Sequence, residues 1–209
     1  DRYQLVDDLD KYLILNEILE RGNYRKLKPL KAPKYYVKPL AGTIQDLKRE
    51  GYFPDTFRQK IESLELKEEE YEKLMETAQA YKDYEEEMKK RFRYDYDDLI
   101  NLVVREFSEN DELLRTFEEK YLYLLADEYQ DTNTSQNKML FSLAKFWGET
   151  ANIFVVGDPD QSIYRFQGAS LENMLEFRNQ FPISKLIYLG SNYRSHQTLL
   201  DGAASVITH

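Results

Sequence analysis

The sequence predicts an α/β protein, in which part of a parallel sheet with flanking helices follows a mainly helical segment. Three observations predict it. Short apolar runs at Tyr121–Ala126, Asn152–Val156 and Lys185–Leu189 have the length of buried strands. Helical patterns at about 135–147 and 170–180 separate those runs, and strands alternating with helices imply a parallel sheet. Before about residue 94 the apolar spacing is helical, broken only by one basic, proline-containing stretch.

Taken in order, residues 1–20 read as an amphipathic helix with Leu5, Leu9, Tyr12 and Leu13 on one side. From Arg21 to Gln45 there is no acid, and Arg21, Arg25, Lys26, Lys28, Lys31, Lys34 and Lys38 supply seven positive charges. Tyr24, Tyr35 and Tyr36 are interleaved, and Pro29, Pro33 and Pro39 interrupt helix formation, so the stretch reads as an irregular basic loop. Thr43-Ile-Gln-Asp46 has capping-box form and starts a short helix that Gly51 stops. A second short helix is expected at Phe57–Leu64. Residues 66–93 read as a long helix, because Tyr71, Leu74, Met75, Ala78, Tyr81, Met88 and Phe92 recur at helical spacing opposite a Glu/Lys face. A further helix at about 97–107 carries Leu99, Ile100, Val103, Val104 and Phe107.

The 209 residues suffice for one large or two small domains, and 42% hydrophobic with 32% charged residues fits a folded, water-exposed protein. The longest apolar run is about six residues, far short of a membrane span. Zero cysteines exclude disulfides and thiolate metal sites, and two histidines make a histidine-rich zinc site a poor fit. A net charge of −9 argues, taken alone, against nucleic-acid binding, but the basic stretch shows that the charge is unevenly spread. The chain starts at Asp1, without methionine, on a helical pattern and ends at His209 within another, so both ends read as cuts through a longer protein.

Each strand candidate runs directly into a polar cluster, and ligands gather at the carboxyl ends of parallel strands. The first cluster is Asp127-Glu128-Tyr129-Gln130-Asp131-Thr132-Asn133. One carboxylate there can hold Mg²⁺ on a nucleotide while the other handles an attacking water. The plain alternative is an acidic turn that caps the next helix. The second cluster, Gly157 to Ala169, contains Gln161, with reach toward a phosphate, and the aromatics Tyr164 and Phe166 two apart. Such aromatics form either a stacking platform for bases or part of the core. Gly157 allows a sharp exit from the strand. The third cluster is Asn192-Tyr193-Arg194-Ser195, whose arginine can act on a transferring phosphate or pair with a surface acid.

In this order and spacing the three clusters resemble motifs II, III and IV of the UvrD/Rep/PcrA type of superfamily 1 DNA helicases, strongly over about residues 94–207. YDYDDLI at 94–100 resembles that family's return from an inserted helical subdomain to its ATPase core. The resemblance implies a partial RecA-like (P-loop NTPase) fold. It implies a helical inserted subdomain at 1–94 (1B-like) with the basic loop 21–45, part of the ATPase core at 95–190 (1A-like), and motif IV with the start of the next segment at 191–209. It implies ATP and Mg²⁺ as cofactors, single-stranded and duplex DNA as partners, and a cytoplasmic location. Asp127 would hold Mg²⁺ and Glu128 would be the catalytic base, with Glu128 a second metal contact. Gln130 and Gln161 would couple the γ-phosphate to DNA. Arg194 would contact the γ-phosphate, and Tyr193 would stack near the adenine. Tyr164, Phe166 and Gln167 would meet single-stranded DNA. Phe166 stands where the family often has Trp, and Gln167 where Arg is common, which keeps stacking and removes a charge.

The sequence contains no G-x-x-x-x-G-K-[ST] phosphate loop, so the isolated chain is expected not to hydrolyse ATP efficiently. Lys26, Lys28 and Lys31 form either a phosphate-tracking surface for duplex DNA or a solvated loop. Two other functions share the motifs: the helicase part of a helicase–nuclease recombination enzyme, and a non-catalytic DNA-binding module of the same fold. A Mg²⁺ nuclease would need more convergent carboxylates than Asp158 and Asp160 offer.

Overall fold

A computed structural model describes residues 2–158, 161 and 171–207. Among these, four short strands and nine α-helices follow one another as β1 (Gln4–Leu5), α1 (Asp8–Arg21), α2 (Val37–Arg49), α3 (Pro54–Glu62), α4 (Glu68–Lys90), β2 (Arg93–Tyr94), α5 (Tyr96–Glu109), α6 (Asp111–Lys120), β3 (Leu124–Ala126), α7 (Thr134–Ala144), β4 (Ile153–Val155), α8 (Leu171–Gln180) and α9 (Gln197–Ile207). The result is a mixed α/β chain with two small parallel sheets, β1–β2 and β3–β4.

Helix α1 starts where Asp7 accepts the Asp10 N–H, and Asp8 and Asp10 complement the positive end of the helix dipole. Its buried face is Ile14, Leu15, Ile18 and Leu19, not the side carrying Leu9 and Leu13, which are exposed. The helix has two apolar stripes, and only the second meets partners. Those partners are Leu40 and Ile44 of α2 and Ala80, Tyr81, Tyr84 and Met88 of α4, in one core with Val6, Tyr24 and Leu27. Each fully buried Leu or Ile contributes about 1.5–3 kcal/mol.

Helix α2 begins at Val37, well before the expected start at Thr43, so the irregular part of the basic stretch is shorter than 21–45. Pro39 is tolerated because it lies in the first turn, where its missing N–H has no helical acceptor to lose. Thr43 is mid-helix, and its hydroxyl donates to the Pro39 carbonyl. The predicted stop is where the sequence puts it. Gly51 takes φ +72°, its N–H donates to Lys48 O, and Tyr52 N–H donates to Leu47 O, the paired closure of a Schellman motif.

Helix α4 carries Glu68, Glu69 and Glu70 in its first turn and Lys89 and Lys90 in its last. The chain then returns as β2, which pairs in parallel with β1, Gln4 opposite Arg93 and Leu5 opposite Tyr94.

Strands β3 and β4 fall within two of the three predicted runs and pair in parallel, with Leu125 opposite Phe154. Leu124, Ala126, Ile153 and Val155 face a second core built on Tyr129, Ala144, Phe177 and Phe181. Leu125 and Phe154 point the other way and are exposed. The third run, Lys185–Leu189, is not a strand: Leu186, Ile187, Tyr188 and Leu189 are all exposed, and no described residue offers them a ladder partner. No helix among the described residues is long and apolar enough to cross a membrane.

Candidate functional site

The acidic cluster begins where β3 ends. Asp127 and Glu128 are both exposed, while Tyr129 and Gln130 behind them are buried. Glu128 adopts φ 50° and ψ 41°, left-handed backbone that a residue with a Cβ enters at about 1–2 kcal/mol. The turn is held open in that shape by its own hydrogen bonds. Asp127 Oδ1 accepts the Glu128 N–H at 2.9 Å, and Glu128 O accepts the Asp131 N–H at 2.9 Å, opening a single 3₁₀ turn over Tyr129–Asp131. Backbone of this kind persists where surrounding bonds over-determine it, as these do here.

Gln130 fastens this turn to the loop after β4. Its amide nitrogen donates to Glu128 Oε2 at 2.7 Å and to Asp131 Oδ2 at 3.3 Å. Its carbonyl accepts the Asp158 N–H at 2.9 Å. Tyr129 N–H adds a parallel tie to Val156 O at 2.9 Å. Gly157 is required for this approach: a Cβ there would lie 2.6 Å from Gln130 Oε1 and 3.0 Å from the Gln130 nitrogen. Its role is close packing against Gln130, rather than the sharp strand exit that the sequence suggests for it. Gln161 is exposed, and its amide donates to Asp158 Oδ2 at 2.7 Å.

Downstream, Asn133 caps α7. Its side chain accepts the Gln136 N–H, and Gln136 returns the bond to the Asn133 N–H, both at 2.9 Å. The cluster therefore caps the next helix through Asn133, the plain alternative for it, while Asp127 and Glu128 stay exposed. The Tyr129 ring packs edge-on to Phe177 at 5.6 Å, and burial beside Glu176 pushes its hydroxyl up from the ordinary tyrosine range.

The other predicted residues lie apart from this turn. Tyr193 and Arg194 are exposed, and the Arg194 N–H is engaged locally by Asn192 Oδ1 at 2.9 Å. Among the described residues no hydrogen bond or ion pair joins Arg194 to Asp127 or Glu128. Tyr164, Phe166 and Gln167 lie outside the described residues. Lys26 sits among acids, 3.1 Å from Glu72 and 3.9 Å from Glu69, and its ammonium is held above the ordinary lysine range by its hydrogen bond to Glu72. Lys28 donates to Glu20 O at 2.7 Å, while Lys31 is exposed. The loop itself is organised by Glu76, whose carboxylate accepts the N–H groups of Arg25, Lys26 and Leu27 at 2.8–3.0 Å.

Lys48 belongs to no motif singled out in the sequence. It is fully buried, at 0% exposure, with its ammonium 2.9 Å from Glu85, 3.1 Å from Asp95 and 2.5 Å from Asp98. Burial opposes its charge, yet the three carboxylates hold its pKa well above the usual lysine range. Burial also pushes the Asp98 carboxyl up to about 6, whereas Asp95, buried too, is held below the usual range by Lys48. Asp95 and Asp98 are at the same time the reciprocal cap of α5. The signal available in sequence was the YDYDD acid cluster, which needs a cation if it is buried.

Two exposed carboxylates at a strand end suit Mg²⁺, which keeps several waters and takes one or two carboxylates beside substrate phosphates. An all-protein cage is not offered: the described residues contain no group of three or more metal-binding side chains.

The chain matches the UvrD/REP helicase N-terminal domain over residues 1–182. It is 31% identical over 207 residues to the ATP-dependent DNA helicase PcrA of Staphylococcus epidermidis, covering 99% of this chain and 26% of that protein. It is 32% identical over 205 residues to the ATP-dependent DNA helicase PcrA of Bacillus subtilis, covering 98% of this chain and 25% of that one. The chain thus spans about a quarter of the length of the curated relatives it matches.

Proposed function

Because the chain belongs to the UvrD/REP helicase N-terminal domain family, we propose that it forms part of a DNA helicase that couples ATP hydrolysis to translocation on single-stranded DNA and duplex unwinding, in repair or recombination. The observation that carries this reading is the acidic turn, with two exposed carboxylates at the end of a parallel strand and the second, on left-handed backbone, hydrogen-bonded by Gln130. In this reading residues 95–190 are part of a RecA-like core carrying motifs II and III, residues 191–209 begin with motif IV, and residues 1–94 are an inserted helical subdomain. The β1–β2 pairing supports the insertion, since it puts the start and finish of the helical part side by side. The cytoplasm is the location such work calls for.

Asp127 would hold Mg²⁺, with Glu128 as a second contact. Magnesium, when bound, supplies charge neutralisation on the β- and γ-phosphate oxygens. Glu128 accepts a proton from the attacking water, and its Oε2 is oriented for this by the Gln130 amide. Gln130 also joins the turn to Asp158, and Asp158 to Gln161, so a shift in either loop is felt at Glu128. This is the physical content of a role for Gln130 and Gln161 in coupling the phosphate to DNA. Tyr193 and Arg194 reach nucleotide only if their segment is brought against the acidic turn. Tyr164, Phe166 and Gln167 take single-stranded DNA. Lys28 and Lys31 offer charge to a duplex, and Lys26 does so only by leaving Glu72. Turnover also needs a phosphate loop, which these 209 residues do not contain.

The test is ATP hydrolysis by the protein extended beyond these residues at both ends, with and without single-stranded DNA, beside its Glu128→Gln variant. DNA-stimulated turnover that Glu128→Gln lowers by about 10²-fold or more supports the reading. DNA binding without turnover would replace it with the non-catalytic module, and a DNA-cleaving activity carried by the extension would identify the helicase–nuclease form.

A further inference from the structure

Among the described residues, the C-terminal end of α2 ties the helical part of the molecule to α5 and α7, and so to the acidic turn. The C-terminal turn of α2 ends against the first turn of α7, the helix that Asn133 caps immediately after the acidic turn. Ser135 Oγ lies 2.8 Å from Lys48 O and 2.8 Å from Asn101 Oδ1, with its single proton available to either. Asn101 Nδ2 donates to the same Lys48 carbonyl at 2.9 Å, bringing in α5. Thr134 Oγ1 donates to Glu50 Oε2 at 2.7 Å, and Lys138 Nζ lies 3.5 Å from Glu50 O. Lys48, Asn101 and Ser135 are all buried, so these bonds operate without competition from water. A side chain at Gly51 would lie 2.7 Å from Lys138 Nζ and 3.2 Å from Ser135 Oγ, so the α2 terminus is shaped to admit α7.

We infer that this junction is a clamp that sets the position of the acidic turn, with Lys48, Asn101, Thr134 and Ser135 as positioning residues. Lys48 works from both ends. Its ammonium fixes α2 to α4 through Glu85 and to α5 through Asp95 and Asp98, and its carbonyl receives α7. From Ser135 the path to Glu128 is short and continuous: the Asn133 cap, then Thr132, whose N–H and hydroxyl both donate to Tyr129 O, then the turn itself. The helical part and the acidic turn therefore move together, and a load on the former is delivered to the Glu128 carboxylate. Importance for ATP turnover rests on the function proposed above; the clamp itself does not.

The experiment is native-state hydrogen exchange by NMR on this chain, comparing the Tyr129 and Thr132 amides of the turn with those of Leu15 and Ile18 in α1. Ser135→Ala removes the buried hydroxyl, Thr134→Val removes the half-buried one, and Thr134→Ser keeps it. The clamp predicts that protection of Tyr129 and Thr132 relative to Leu15 and Ile18 falls about tenfold in Ser135→Ala, as expected for the loss of one buried hydrogen bond. It predicts a smaller fall in the same direction in Thr134→Val and the wild-type ratio in Thr134→Ser. The side-chain amide signal of Gln130 shifts in the first two variants only. If all four amides fall together, or the ratio holds in both hydroxyl-removing variants, these residues support general stability alone and the clamp is wrong. Should Ser135→Ala fail to fold, the Thr134 pair decides. No nucleotide enters the measurement, so failure of the helicase reading leaves its outcome untouched.

Discussion

Replacing Lys48 by methionine tests the charge network at its centre. The side chain is fully buried, and three carboxylates from α4 and α5 lie within 3.1 Å of its ammonium. Methionine keeps most of the volume, so packing against the Tyr84 ring, 5.2 Å from the ammonium, changes little. What is lost is the only cation in contact with Glu85, Asp95 and Asp98 among the described residues. Removing one partner of a buried ion pair destabilises by about 3–5 kcal/mol, because the remaining charge stays buried without compensation. The effect depends on pH. Without Lys48, burial raises the folded-state pKa values of Asp95 and Asp98 above their unfolded ones. The native state then holds protons that the unfolded chain has released, and stability falls as pH rises through that interval. Asp98, already pushed up to about 6 with Lys48 present, makes this interval reach at least pH 6. Urea denaturation of wild type and Lys48→Met at pH 5 and pH 8 should give a loss of about 3–5 kcal/mol at pH 8 and clearly less at pH 5. Adding Asp95→Asn and Asp98→Asn to Lys48→Met should recover part of the pH 8 loss. A loss below about 1 kcal/mol at pH 8, or one greater at pH 5, would refute the argument that Lys48 is the counter-charge of a buried cluster.

Three further outcomes are expected. Gly157→Ala forces the loop after β4 away from Gln130 and should cost about 1–3 kcal/mol by urea denaturation, with the Gln130 side-chain amide signal displaced. Glu87, gripped by hydrogen bonds from Arg21 and Arg91 that hold its carboxyl down to about 2, contributes stability that is complete above its unfolded pKa of about 4.5 and is lost as pH falls toward 2; Glu87→Gln should cost about 1 kcal/mol at pH 7 and flatten that part of the acid-unfolding curve. Glu76→Ala leaves the N–H groups of Arg25, Lys26 and Leu27 without their acceptor, so limited trypsin digestion should cut the basic loop several-fold faster, with the rest of the chain unchanged.

The elements that sequence rendered well are those with a purely local cause. The runs at β3 and β4 end in polar clusters where the strands end, and the Glu-rich start and Lys-rich end of α4 mark its limits to within a few residues. Gly51 stops α2 because only its backbone suits φ +72° without penalty. The misreadings have nonlocal causes. Leu9 and Leu13 are as apolar as Ile14 and Ile18, and only the placement of α2 and α4 decides which stripe is covered. Lys185–Leu189 has strand chemistry but no partner edge among the described residues. Of the candidate site, the placement of Asp127, Glu128 and Gln130 directly after a strand was legible from the apolar run before them. The left-handed backbone of Glu128 and the contact of Gly157 with Gln130 were not, since both arise where two loops meet. Lys48 was the least legible, because its acids come from residues 85, 95 and 98.

The parallel register of β1 with β2 has a topological consequence. A turn cannot join two parallel neighbours, so everything between Leu5 and Arg93 is, in connectivity, a single crossover grown to the size of a small domain. A crossover needs only about a dozen residues, usually one helix. The helices α1 to α4 are therefore optional to the path of the chain, and one helix in their place would satisfy the same two strands. Outside the α2 terminus that receives α7, the order of the strands therefore sets no limit on how large this part of the molecule is.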